Sequence, residues 1–362
     1  MSKYLLFAFA TFICLSLLSC GDNEMYYTVD DFAAVEKADV HIHIRTHRNS
    51  FVEQAIKDNF SLVNIVVDGA GTWEGVRNQF KYVKMQHENH PERFRMVTAV
   101  SVEDFHEPGW ADRSIAWLDS CFDQGAVGVK FWKNIGMVLK DTNQQNVMLD
   151  DPRFDPVFKH IIQRDKMVVG HLGEPLNCWL PLEEMTTNND RNYFEEHPQY
   201  HMYLHPELPS YQDQMDARNQ RLDKNPELKF AGAHMASIEW NVDTLAAWFE
   251  QYPDATIDLA ARMGQVFYQT QQDRERVRNF FQKYSNRIMY ATDLGDNGSS
   301  EVENLQTNLH EVWLRDWTYF STDQQMESDL VNGSFQGIQL TKEAVNNIFY
   351  NTARRVFGFG TQ

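Results

Sequence analysis

The sequence predicts an α/β fold, a (β/α)8 barrel with one long insertion after its fifth strand. Three observations carry this expectation. Eight short apolar runs alternate with helical patterns along the chain. Several runs are apolar throughout, as parallel strands covered on both faces are. Ionisable residues gather at the ends of the runs, the rim where such a barrel keeps its chemistry. At 362 residues the chain suits one large domain or two average ones. A doubly wound open sheet is the alternative, but no glycine-rich phosphate turn follows the first run.

The expected strands span 38–44, 62–68, 95–102, 126–132, 166–172, 228–235, 255–261 and 287–293. Helical periodicity fills the intervals at 73–88, 113–122, 243–249 and 274–284. Asp151-Pro152 reads as an N-cap followed by proline in the first turn, opening a helix through Ile162. A last helical stretch at 341–357 closes the domain. One connection is far longer than the rest. Residues 174–226 carry Trp179, Tyr193, Phe194, Tyr200, Tyr203 and Tyr211, which argues against disorder. In a barrel this insertion leaves the C-terminal rim, so it reads as a lid or substrate wall. A packing ornament or an oligomer contact is the alternative, and self-association stays open.

The first strand ends in His41-Ile42-His43. Side chains two apart on a strand share a face, so both imidazoles can reach one metal ion. Lys130 lies near the end of strand four, His171 ends strand five, His234 ends strand six and Asp293 ends strand eight. Buried ionisable groups are costly without partners, and a bound metal would account for all of them at once.

These residues resemble the amidohydrolase superfamily, in particular its amidohydrolase-related branch, which contains decarboxylases and lactonases as well as hydrolases. The resemblance rests on His41-Ile42-His43, Gly170-His171-Leu172-Gly173, Gly232-Ala233-His234, Thr292-Asp293 and Asn351-Thr352-Ala353-Arg354, and covers about residues 38–358. It implies two metal arrangements. In one, His41, His43, His171 and Asp293 hold a single divalent ion, expected to be Zn2+, and His234 acts as acid, base or polariser. In the other, His171 and His234 hold a second ion and a carboxylated Lys130 bridges the two. One ion is favoured, with Lys130 as an ammonium toward substrate. The expected activity is hydrolysis of a lactone, ester or amide of a small organic acid, with Asp293, His234 and Lys130 as catalytic residues. Asp293 would accept the proton of water, and His234 would steady the oxyanion. Metal-dependent non-oxidative decarboxylation on the same barrel is the alternative, followed by a non-catalytic ligand-binding lipoprotein.

Three residues are candidates for substrate contact. Arg262, just past strand seven, could clamp a carboxylate bidentately or sit in a structural ion pair. Glu174 could orient a ligand or the lid, or form a loop salt bridge. Arg45 stands beside the histidine pair with a case like that of Arg262. His197, His201 and His205 are spaced by four within the insertion, but Pro198 and Pro206 weaken any reading of them as a second metal site.

The N-terminus reads separately. Lys3, an apolar run from Tyr4 to Leu18 and Leu17-Leu18-Ser19-Cys20 resemble a lipoprotein signal, so residues 1–20 are expected to direct lipidation of Cys20; an ordinary secretory peptide, which needs no cysteine there, is the alternative. Residues 21–37 would be a tether and 38–362 the barrel, placed at a bacterial envelope membrane and touching it only through the lipid. The net charge of −18 argues against nucleic acid as a partner. Cys121 and Cys178 fall at opposite ends of such a barrel, beyond the roughly 6 Å Cα separation of a disulfide.

Overall fold

The computed structural model describes residues 25–360. The expected signal, Cys20 and the start of the tether lie outside the described residues. From Tyr27 onward the chain is docked: Phe32 is buried in the core, and the Thr28 carbonyl accepts from Trp317 Nε1.

The eight strands appear in the expected order. They are β1 (Lys37–Ile44), β2 (Phe60–Ile65), β3 (Phe94–Ala99), β4 (Gly128–Phe131), β5 (Met167–Gly170), β6 (Phe230–Gly232), β7 (Thr256–Asp258) and β8 (Ile288–Met289). Each pairs in parallel with the next, and a short β9 (Gly295–Asp296) pairs with β1. Past β8 the chain also meets β1, where Val40 N–H donates to the Tyr290 carbonyl and Asp293 N–H to that of His41. The curled sheet is thus a distorted (β/α)8 barrel.

Helices pack outside, and a large apolar core fills the space between them and the sheet. A second cluster lies inside the barrel, where Ala38, Val40, Val63, Ile65, Val97, Val169 and Ala231 meet Phe357 and Phe359. The closing helix is broken by a π turn at Asn347–Asn351, and the Ile348 carbonyl accepts Tyr290 N–H from the last strand.

The insertion holds short 3-10 turns, the helix Asn188–Glu196 and the helix Tyr211–Lys224. Cys178, Met185, Phe194 and Met202 of the insertion form a small core with Met137 from the segment after β4, which accounts for the insertion's order. Cys121 and Cys178 are both free and buried.

Strand six differs from its expected extent. It stops at Gly232 rather than running to Met235, because the backbone turns left-handed at His234.

Candidate metal centre

A β-bulge sets the aim of the two leading histidines. Lys37, Ala38 and Asp39 pair with Phe60, Ser61 and Leu62, but the next pair is Ile42 with Asn64, so β1 carries one extra residue there. Val40 and His41 can then both face the barrel interior. A strict two-residue period would put Asp39 beside His41. Instead Asp39 lies on the helix side, accepting from Trp313 Nε1 at 3.1 Å and Thr292 Oγ1 at 2.6 Å. Beyond the bulge the alternation resumes. His43 faces the mouth, and Ile42 and Ile44 join the outer core. The same alternation turns Lys130 and Asp258 inward while Val129, Phe131 and Ile257 pack outward.

Hydrogen bonds fix the tautomers. His43 Nδ1 lies 2.8 Å from the Ile65 carbonyl, which can only accept, so that nitrogen carries the proton. His41 Nδ1 lies 2.8 Å from Asp258 Oδ2 and donates likewise. Both Nε2 atoms therefore present lone pairs, and both face one oxygen of Asp293, at 3.0 Å from His43 and 3.5 Å from His41. Burial, helped by the Lys130 ammonium, pushes the pKa of His41 down and keeps the ring neutral. Burial acts to raise the Asp293 carboxyl. The nitrogen groups around it, His43 and His41 foremost and then Lys130, outweigh this and hold the group well below the carboxylate range. Three acceptor atoms turned toward one point call for a cation. The donor atoms of His41, His43 and Asp293 lie within 4.8 Å of one another, and the set fits a divalent metal ion.

A second group, His41, His234 and Asp258, meets the same spacing. The Asp258 oxygens are already engaged. Oδ2 accepts from His41, and Oδ1 accepts from His234 N–H at 2.7 Å and Ala260 N–H at 3.2 Å. Asp258 therefore orients His41 from behind, the usual task of a carboxylate bonded to a metal-binding imidazole.

His171 and His234 form a pair of their own. His234 Nδ1 donates to the Ala260 carbonyl at 2.9 Å, so its Nε2 accepts from His171 Nδ1 at 3.1 Å. His171 Nε2 faces Glu174 Oε2 at 3.4 Å, and Glu174 is ion-paired with the half-buried Lys133. Glu174 thus forms the loop salt bridge and also borders a candidate ligand. His234 opens an uncommon turn. His234, Met235, Ala236 and Ser237 all have φ between 55° and 57°, at a cost of roughly 1–2 kcal/mol for each non-glycine residue.

Lys130 is buried with Nζ 3.2 Å from His41 Nε2, and burial pushes its pKa down to about 8. Arg262 is buried rather than open on the rim. Its Nη1 donates to the Ala261 carbonyl, and its Nε has no hydrogen-bond partner. Arg45 stays exposed at the mouth, within reach of the Asp293 charge. His201 Nε2 and His205 Nε2 bond to the carbonyls of Leu180 and Pro198. Asp258 and Asp39 were not among the sequence candidates. Their signal was there: each is a lone carboxylate within or beside a strongly apolar run, which demands a partner on burial.

Residues 39–359 match the family model described as Amidohydrolase. The chain belongs to the amidohydrolase family. No match is found among curated proteins. Solved structures similar to this amidohydrolase-family chain include 2,6-dihydroxybenzoate decarboxylase from Rhizobium, at 14% identity over 89% of this chain and 98% of that one, with a TM-score of 0.53. The 5-carboxyvanillate decarboxylase of Novosphingobium aromaticivorans, solved with manganese, is 12% identical over 91% and 97%, with a TM-score of 0.51. An uncharacterized TIM-barrel protein from Bordetella bronchiseptica is 11% identical over 91% and 100%, also at 0.51. At these identities the likeness is one of fold. Fold, family and donor set together make this amidohydrolase-family chain a metal-dependent enzyme with a small-molecule substrate.

Proposed function

We propose that this protein removes the carboxyl group of a small hydroxylated aromatic acid, as a metal-dependent, non-oxidative carboxy-lyase. The observation that carries this reading is the placing of two buried cations around the donor set. Neither Lys130 nor Arg262 has a carboxylate within ion-pair distance among the described residues, so both remain available to an anionic substrate. The decarboxylase activities of two structures sharing the fold support the choice over hydrolysis.

His41, His43 and Asp293 would hold one ion, with His171 as the further expected ligand. When bound, a divalent ion such as Zn2+ supplies Lewis acidity toward the substrate's oxygens. Arg262 and Arg45 would hold the carboxylate. The ring–carboxyl bond breaks, CO2 leaves, and the electron pair stays on the ring carbon, which then takes a proton. Lys130 is the buried ammonium placed to hold that proton, and His234 faces the same interior. One ion is favoured over two because His41 belongs to both donor groups and the Asp258 oxygens of the second are already bonded.

Hydrolysis of a lactone, ester or amide is the second reading. Asp293 favours it, since this carboxylate is 32% exposed beside nearly buried partners and so meets water directly. The signal-like sequence of residues 1–20 supports the reading of a lipid anchor at Cys20 in a bacterial envelope.

Zinc- or manganese-loaded protein should release CO2 from a panel of dihydroxybenzoates and carboxylated vanillates, with one ion per chain. Heavy oxygen from labelled water appearing in a product carboxylate would establish hydrolysis instead. Stoichiometric metal without turnover on either panel would leave a ligand-binding lipoprotein. Replacing Cys20 with serine should free the protein from membranes.

A further inference from the structure

The left-handed turn after β6 holds itself together only in part. Ser237 N–H donates to the His234 carbonyl and Ile238 N–H to that of Met235. The carbonyls of Ala236 and Ser237, at its end, are served from elsewhere. The Arg218 guanidinium donates to the first, and the Tyr211 hydroxyl donates to the second at 2.5 Å. Both residues lie on the insertion helix Tyr211–Lys224, seven positions apart and so on one face. Ser237 Oγ donates to the Gly173 carbonyl at 3.0 Å, at the root of the same insertion. β6 must also end in glycine. A Cβ on Gly232 would stand 2.5 Å from that of Ala236, which folds back over it.

Arg218 is an unusual group for this place. It is buried, and no carboxylate lies within ion-pair distance among the described residues. Its other contacts are the side-chain oxygen of Asn219 and the face of Trp248, 4.9 Å away. A buried cation kept on such terms is costly. Beyond its immediate neighbourhood, the group it serves is the Ala236 carbonyl.

We propose that the insertion helix is a clamp on the catalytic rim: Arg218 and Tyr211 are positioning residues that hold residues 234–237 left-handed and so fix His234 against His171 and the Ala260 carbonyl. Seating of the insertion and presentation of His234 are then a single event. If the helix lifts, the two carbonyls lose their donors and the turn relaxes toward ordinary backbone. The clamp sets the place of His234 whichever reaction the site carries out.

The test uses the full chain loaded with zinc and labelled with 15N-histidine. The ring N–H of His234, bonded to a buried carbonyl, gives a slowly exchanging signal that His234→Gln removes. Arg218→Met should speed its exchange at least tenfold, and Tyr211→Phe should do so to a lesser extent, with the far-UV spectrum and the His41 and His43 signals unchanged. Adding Ala236→Gly should restore slow exchange, because glycine enters the left-handed region freely. A signal that stays protected in the Arg218→Met, Tyr211→Phe double variant overturns the clamp, as does failure of the glycine to rescue. Should Arg218→Met not fold, Tyr211→Phe with and without Ala236→Gly decides by the same criterion.

Discussion

The two sides of the barrel mouth are held in place by different means. His41, His43 and Asp293 are fixed by the barrel's own strands, through the Ile65 carbonyl, Asp258 and the β1–β8 seam, and this side opens to water at Asp293. His171 and His234 sit on the covered side. Glu174, paired with Lys133, backs His171, and Gly173, Tyr211 and Arg218 hold the turn that follows His234. The difference assigns separate tasks. His41, His43 and Asp293 depend on the strands alone, whereas His171, the further expected ligand, and His234 sit at strand ends that are also braced by a segment free to vary in sequence and length.

The sharpest way to break the comparison is Asp293→Asn. It should leave the fold intact and lower metal affinity by more than about 100-fold, since it removes a direct donor; titration with zinc against a competing chelator measures this. Asp258→Asn touches both sides at once, through His41 and the His234 amide. Metal affinity should fall about 10- to 100-fold, and activity should drop even at saturating zinc. Gly232→Ala strikes the covered side alone. Overpacking against Ala236 should cost about 1–3 kcal/mol in denaturant unfolding, while the zinc titration stays that of the parent. Equal effects of Gly232→Ala on both sides would erase the distinction.

The smallest effect is a slope. Glu239 bonds to Leu176 N–H under the insertion, and burial pushes its carboxyl up to about 7 from 4.5. With the folded value above the unfolded one, its contribution is complete below about pH 4.5 and is lost as pH rises toward 7. Glu239→Gln should flatten that part of the stability–pH curve. A curve that the substitution does not alter would detach Glu239 from the covered side's energetics.

Strand positions were legible because buried parallel strands read as apolar runs, and the rim residues because each run ends in a chemically distinct side chain. The His41, His43 and Asp293 cluster followed from that order. Two features did not show. The β1 bulge has no marker in Ala38–Ile44, since an extra residue in a ladder depends on the partner strand's register. The turn at 234–237 contains no glycine or asparagine, the residues that usually announce left-handed backbone. Its support comes from Arg218 and Tyr211, whose sequence context is an ordinary polar helix. Arg262 was placed on the right rim, but its burial depended on how the insertion folds over it.

The π turn in the closing helix has a consequence for biosynthesis. Its Ile348 carbonyl receives the Tyr290 amide, so the strand leading to Asp293 is completed by a residue of the closing helix. A ribosome working from the N-terminus delivers both histidines of β1 long before that carbonyl exists. The carboxylate that joins them gains this support only once the closing helix has been made, so the three donors of the set come together late in the assembly of the barrel.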